Sequence, residues 1–262
     1  MLEFRRRRSR IAAQLILTLL VIPFAFPLVV MLQGSLAGEG WRNYATVLKL
    51  GPLPQFFINS IVIAVGVIIL VLVCSLTAAF GFSKLGIRGK EIYFWSLLAC
   101  LTLPEVVLLT PLFATVTAAG AFNTLWSVIV PQTALLIPFA VLLARNFVDG
   151  VPSELLEAAR VDGSTTLRMF RHVVLPLSKP IAAAITVLVF ISSWNDYLLP
   201  LLFLQTPNKQ TITLVPQFFS GQYNNDQTKI LAAAVLTALP VIVLYLCFQR
   251  FFERGLAAGA LK

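Results

Sequence analysis

Glu105 and Asp196 are carboxylates set in stretches otherwise apolar enough to cross a bilayer. An ionisable group at that depth is costly to place and marks a functional position. Asp196 lies 16 residues after Pro180, about 24 Å along a helix and near the outer edge of a hydrocarbon core about 30 Å thick. Trp194, Asn195 and Tyr197 stand beside it. An aromatic face, an amide and an acid can together stack on and hydrogen-bond a hydroxyl-rich ligand such as a sugar. Two readings stay open for Asp196: an outer-interface carboxylate in water, with Trp194 and Tyr197 as interface anchors, or a group at the outer mouth of a transport pathway. Glu105 is about 13 residues into its own stretch, roughly 20 Å from the inner side, with Pro104 and Pro111 breaking the helix around it. It is expected to face the bundle interior, protonated or paired, in a structural hydrogen bond or against substrate. Gln132, flanked by Pro131, Thr133 and Pro138, marks an irregular fourth helix suited to lining a cavity.

Enzyme chemistry finds little to work with. His172 is the only histidine, which excludes a histidine-based catalytic centre and a multi-histidine metal site. There is no His-Glu-x-x-His and no nucleophile elbow. The segment Gly86-Ile87-Arg88-Gly89-Lys90-Glu91 lacks the spacing of a phosphate-binding loop. No catalytic residue, metal ligand or cofactor is expected in this chain.

Between Val148 and Lys179 the chain changes character. Pro152 to Arg160 reads as a short helix, with a proline and acids in its first turn and Leu and Ala inside. Asp162-Gly163 stops it, Ser164 or Thr165 caps a second helix running through His172, and Pro176 and Pro180 break the chain again. Leu155, Leu156 and Ala159 form an apolar stripe that can rest on a bundle and leave Glu157, Arg160, Arg168 and Arg171 facing outward. A bland alternative is an amphipathic connector lying on lipid headgroups.

The elements that would hold these groups follow from composition. Of 262 residues 58% are hydrophobic and 12% charged, and the mean hydropathy is +0.89, which excludes an ordinary soluble domain. Apolar runs near Ile11–Leu32, Phe56–Phe82, Ile92–Val116, Trp126–Phe147, Pro180–Leu204 and Ile230–Phe248 predict an all-α membrane protein of six spans, forming a single domain over residues 1–262. The first run, followed by Ser35-Leu36-Ala37, exceeds a signal-peptide core and is kept as a span kinked at Pro23 and Pro27. Sixteen of the 20 basic residues fall on one side: Arg5 to Arg10, then Lys84, Arg88 and Lys90, then Arg145 to Lys179, then Arg250, Arg254 and Lys262. That asymmetry predicts cytoplasmic termini, and it assigns the net charge of +9 to topology and membrane lipid, with no nucleic-acid partner. Cys74, Cys100 and Cys247 lie in apolar stretches and suggest neither a disulfide nor a metal site. The polar outer segment from Gln205 to Lys229, with its Asn224-Asn225-Asp226 run, suits an irregular loop facing an external partner.

Glu157-Ala158-Ala159, three residues, Gly163, nine residues, Val173, one residue and Leu175-Pro176 is an order that resembles the EAA loop of ABC importer permease subunits. Leu143 to Phe147, Ser193 to Pro200, Phe122 to Trp126 and Arg254 to Lys262 also look like the carbohydrate branch, specifically its maltose-type second permease. The resemblance implies a six-helix subunit of the type I importer fold in a bacterial or archaeal plasma (inner) membrane. It would pair with a second permease, as a heterodimer, and work with two ATPase subunits that bind ATP and Mg and with an external solute-binding protein. It implies that Glu157 meets a basic group of the ATPase, that Ala158 and Ala159 permit close approach, and that Gly163 forms the turn. Arg160, Asp162, Leu175 and Pro176 belong to the same coupling loop, 148–179. The solute would be a carbohydrate or a polyol relative such as a polyol phosphate. The alternatives are an importer for another solute, since the EAA loop is shared, and a secondary transporter driven by an ion gradient through Glu105 and Asp196.

Overall fold

A computed structural model describes residues 7–221 and 225–260. Arg5, Arg6, Lys262 and the outer-loop Asn224 lie outside the described residues, as do the side chains of Arg7, Arg8, Arg10, Cys247, Arg250 and Arg254. Secondary structure among the described residues is helical, apart from an isolated bridge between Ser220 and Asn225. In lipid every backbone polar group needs a partner within its own segment, so long apolar runs have no alternative to the helix.

Among the described residues, three helices are long and apolar enough to cross a membrane unbroken: α1 (Arg7–Ser35), α3 (Leu53–Lys84) and α6 (Trp126–Asp149). α6 runs on through Pro131 and Pro138, so the irregular fourth helix expected from those prolines is continuous. The expected third span, by contrast, is broken. α4 (Lys90–Ala99) and a 3-10 turn at Cys100–Thr102 meet α5 (Glu105–Ala118) at 104°. Leu103 is extended (φ −82°, ψ 121°) because a residue ahead of proline is pushed out of the helical region.

The region before the fifth span is also reshaped. α7 (Ser153–Val161) is followed by α8 (Thr166–Met169), a five-residue π turn (Phe170–Val174) and α9 (Leu175–Leu177). This second helix runs past His172, its expected end: the wide turn, closed by Leu175 N–H on the Phe170 carbonyl, carries the chain into Pro176 without breaking it. It meets α10 (Lys179–Trp194) at 72°. α10 ends at Trp194, ten residues short of the expected boundary, because the Asp196 carboxylate accepts from the Leu199 amide and starts α11 (Leu198–Phe203) as a separate helix. The sixth apolar segment opens α12 (Gln227–Ala260), whose described apolar part is Gln227–Val243.

The chain forms two compact units, Met1–Gly51 with Val215–Leu239, and Pro52–Leu214 with Pro240–Lys262. In the first, α1 buries none of its apolar window. After α1 the chain is pinned by Asn43 of α2 (Trp41–Leu48), fully buried, whose amide donates to the Ser35 and Ala37 carbonyls at 2.9 and 2.8 Å and accepts from Thr228. In the second unit, Ile63, Val67 and Val71 recur every four residues and place one face of α3 in the core with Val128, Ile129 and Ala144 of α6. Gly66 allows the close approach: a Cβ there would lie 3.1 Å from the Ile129 side chain.

Candidate functional site

The residues expected to form a coupling loop gather on one exposed helix-turn-helix. α7 stops in a Schellman arrangement: Ser164 N–H bonds the Ala159 carbonyl at 2.9 Å and Gly163 N–H the Arg160 carbonyl at 3.0 Å. That motif needs a left-handed residue just past the helix, and Gly163 supplies it at φ +78°. Thr165, rather than Ser164, caps α8, its side chain accepting from the Arg168 amide. Leu156 enters the core and Ala159 packs half-buried against it, while Glu157, Ala158, Arg160 and Asp162 are exposed. Leu155, expected in the buried stripe, is 45% exposed; it lies one position, about 100°, round the helix from Leu156. Val161 and Leu167 flank the turn as apolar side chains 88% and 73% exposed. Leu175 and Pro176 are exposed, and Val174 between them and Val173 turns into the core.

A cavity of about 410 Å³ gathers four of the five residues expected to face a pathway, Trp194 being the exception. Glu105, Gln132, Ser192, Asn195, Asp196 and Tyr197 line it together with Leu135, Leu136, Ile191 and Leu198. Gln132, buried on α6, bridges two groups of the α10–α11 break: Nε2 donates to Asp196 Oδ2 at 2.8 Å and Oε1 accepts from Ser193 Oγ at 2.8 Å. Thr213 Oγ1 donates to the Asp196 carbonyl at 2.8 Å and fixes the turn from behind. Along α6 and α10 an apolar groove of about 220 Å³ adjoins the cavity, sharing Leu136 and Ser192.

Residues 71–258 match the protein family described as binding-protein-dependent transport system inner membrane component. The chain is 31% identical to the melibiose/raffinose/stachyose import permease protein MelC of Bacillus subtilis, over 98% of this chain and 99% of that one. It is 29% identical to the probable ABC transporter permease protein YurM of the same organism, over 94% and 86% of the two chains. The chain belongs to this ABC importer permease family. Its fold also superposes, at a TM-score of 0.80 with 22% identity over 95% of this chain and 99% of the other, on a chain of a bacterial ABC transporter that imports the acidic polysaccharide alginate.

Two site residues of this permease stand elsewhere than their sequence pattern indicates. Trp194, expected to face a sugar, is 3% exposed, its ring stacked on Phe190 at 5.4 Å and tilted against Phe57 at 5.9 Å. Its apolar area is better used in the core, and Tyr197, 39% exposed, is the aromatic on the cavity. Glu105 does not turn into the bundle: the bend at Pro104 makes it the first residue of α5 and leaves it exposed on the cavity wall.

The pattern also hid the residues that hold the segment after α11 in the second unit. Asn59 donates to the Asn208 and Gln210 carbonyls, both at 2.9 Å. Asn123, at φ +56°, accepts from the Gln205 and Thr206 amides, while Lys209 donates to its carbonyl at 2.6 Å. The one local signal was Asn123 in a short turn, since asparagine tolerates the left-handed region.

Proposed function

We propose that this permease subunit forms half of the translocation pathway of an ATP-driven importer for a neutral carbohydrate or related polyol. The observation that carries the reading is near-full-length similarity to an import permease named for melibiose, raffinose and stachyose. The exposed helix-turn-helix supports a docking role. Glu157 offers a directional charge, Ala158 a small surface for close contact, and Val161 and Leu167 apolar side chains that a partner surface can bury. ATP and Mg are bound and the nucleotide hydrolysed by two partner ATPase subunits, each permease lodging its α7 in one of them. The second permease is a different chain, an external solute-binding protein delivers the substrate, and both termini are cytoplasmic.

The cavity supports the pathway role and narrows the solute. Amide, hydroxyl and carboxylate groups facing Tyr197 suit the hydroxyls and apolar face of a sugar. The lining holds two carboxylates, Glu105 and Asp196, and no Lys, Arg or His, so an anionic solute would meet like charge. A neutral saccharide therefore fits better than a polyol phosphate.

The test is affinity purification of the tagged chain from native membranes in mild detergent, with mass spectrometry of what accompanies it. Recovery of an ATPase, a second permease and a solute-binding protein, the last then binding neutral saccharides in a calorimetric screen, supports the assignment. Recovery of the chain alone across several detergents, or a binding protein selective for anions, overturns it.

A further inference from the structure

α4 is attached to the rest of the second unit by very little. Phe94 is its one buried residue, and Ile92, Tyr93 and Trp95 are 72, 67 and 65% exposed. Arg145 of α6 closes over that residue, its Cζ 4.0 Å from the Phe94 ring centroid. Its Nη2 donates to Glu91 Oε1 at 2.6 Å and its Nε lies 3.7 Å from Asp149 Oδ2. The guanidinium, on a side chain only 13% exposed, thus clasps α4 by a ring face and a carboxylate at once, and Phe94 is braced edge-on by Phe82 of α3 at 5.6 Å. One turn further on, Lys84 at the end of α3 donates to the Val151 carbonyl at 2.6 Å and to that of Asp149 at 3.4 Å. Residues 145–151, which lead through Pro152 straight into α7, are therefore where both α3 and α4 are tied down.

These ties differ in kind. α3 also packs on α6 through the apolar core, whereas Phe94 lies outside that core; Lys90 of α4 donates to the Ser83 and Leu85 carbonyls, both at 3.3 Å, and so ties α4 to the end of α3, leaving the clasp as its tie to α6. Beyond α4 the chain turns at Pro104 and presents Glu105 to the cavity. We infer that Arg145 is a positioning residue that makes α4 follow α6 and α7, carrying displacement of the docking helix to the Glu105 wall of the cavity. The inference rests on reading α7 as the helix that docks the ATPase.

The experiment uses the whole complex in nanodiscs, with Cys74, Cys100 and Cys247 replaced by alanine and spin labels at Trp95→Cys on α4 and Ser153→Cys at the start of α7. Both positions are exposed, and neither is among the side chains offered to the ATPase. Electron–electron double resonance reads their separation without nucleotide and after ATP–vanadate trapping. With Arg145 present, the two distributions should coincide. In Arg145→Met, which keeps the apolar stem over Phe94, trapping should shift or broaden the distribution by more than about 3 Å, the scale of helix displacements in such switches. The exchange pair Arg145→Glu with Glu91→Arg should restore coincidence. A separation that changes on trapping with Arg145 intact, or an Arg145→Met complex indistinguishable from it, overturns the inference. If Arg145→Met does not assemble, the exchange pair decides alone: an assembled complex whose separation still shifts overturns it. Co-recovered ATPase separates the two readings, because its absence from the unsubstituted complex refutes the docking role of α7 and takes the inference with it, whereas its presence with an unlatched α4 refutes the latch alone.

Discussion

Replacing Gly163 isolates one physical term. Its φ of +78° lies where an L side chain is disfavoured, and a Cβ built there meets nothing within 4 Å. Steric collision adds nothing, so the effect of Gly163→Ala is the backbone cost of the left-handed region, about 1–2 kcal/mol. That is roughly a 5- to 30-fold loss in the population of the turn that aligns α7 with α8. Asparagine enters the region several-fold more readily than most residues, and a β-branched side chain least readily. Titration of purified ATPase subunits onto the permease pair in nanodiscs should therefore rank affinity as Gly, Asn, Ala, Val. The alanine variant should be weakened about 5- to 30-fold and the asparagine variant far less. Gly163 is exposed, so thermal unfolding of the permease itself should hardly move. An alanine variant that binds like the parent, or an asparagine variant as weak as valine, would show that the left-handed turn is not what fixes the docking surface.

Leu156→Ala should destabilise the permease by about 2–5 kcal/mol while Leu155→Ala costs less than about 1, because Leu156 is 7% exposed and Leu155 45%; equal shifts in detergent melting curves would contradict this seating of α7. Trp194→Ala should lower the melting temperature through lost core packing, and Tyr197→Ala should instead raise the KM for uptake with the melting temperature kept; the reverse pattern would return Trp194 to the cavity. The Lys229 ammonium, and then the Thr228 hydroxyl, hold the Asp226 carboxyl down at about 2. A depressed folded pKa stabilises above the unfolded value and ceases to as pH falls through the folded one, so the melting gap between parent and Asp226→Ala should be level above about pH 5 and narrow between about pH 4 and 2. High salt should shrink it, since both side chains are partly in solvent; a gap unchanged at pH 2 would rule out the ion pair.

The turn between α7 and α8 was legible in the sequence because everything that shapes it is local. The Schellman bonds of Gly163 and Ser164 and the Thr165 cap each span five residues or fewer, and glycine or threonine at such a place has few other uses. The cavity was legible only as a set of residue types. Gln132 and Asp196 are 64 positions apart, and nothing local says that they bond. Trp194 shows the limit most clearly: its neighbours Asn195 and Asp196 do reach the cavity, yet the ring turns the other way because Phe190 and Phe57 form an apolar slot for it. Choosing between slot and cavity needs the position of another helix. Leu155 fails for a smaller reason, one helical step of about 100° on a short helix with a narrow buried face.

The breaks in the spans and the acids within them are one feature. A carboxylate deep in a bilayer needs a cation, a proton or a set of dipoles, and no described cation lines the cavity. Each acid instead stands where a helix has been cut. Glu105 is the first residue of α5, created by the extended Leu103-Pro104 step, and Asp196 accepts the Leu199 amide at the start of α11, created by the end of α10 at Trp194. A helix start offers unpaired N–H groups and the positive end of the peptide dipoles, which favour a negative side chain there. An unbroken helix at either place would have left its acid without that support, and the apolar α6 face opposite supplies only the amide of Gln132. Pro104 and the polar run from Ser192 to Asp196 therefore do two things at once: they bend the chain around the cavity and make its charges tolerable there, whereas α5 runs on unbroken through Pro111, where the sequence led one to expect a second break.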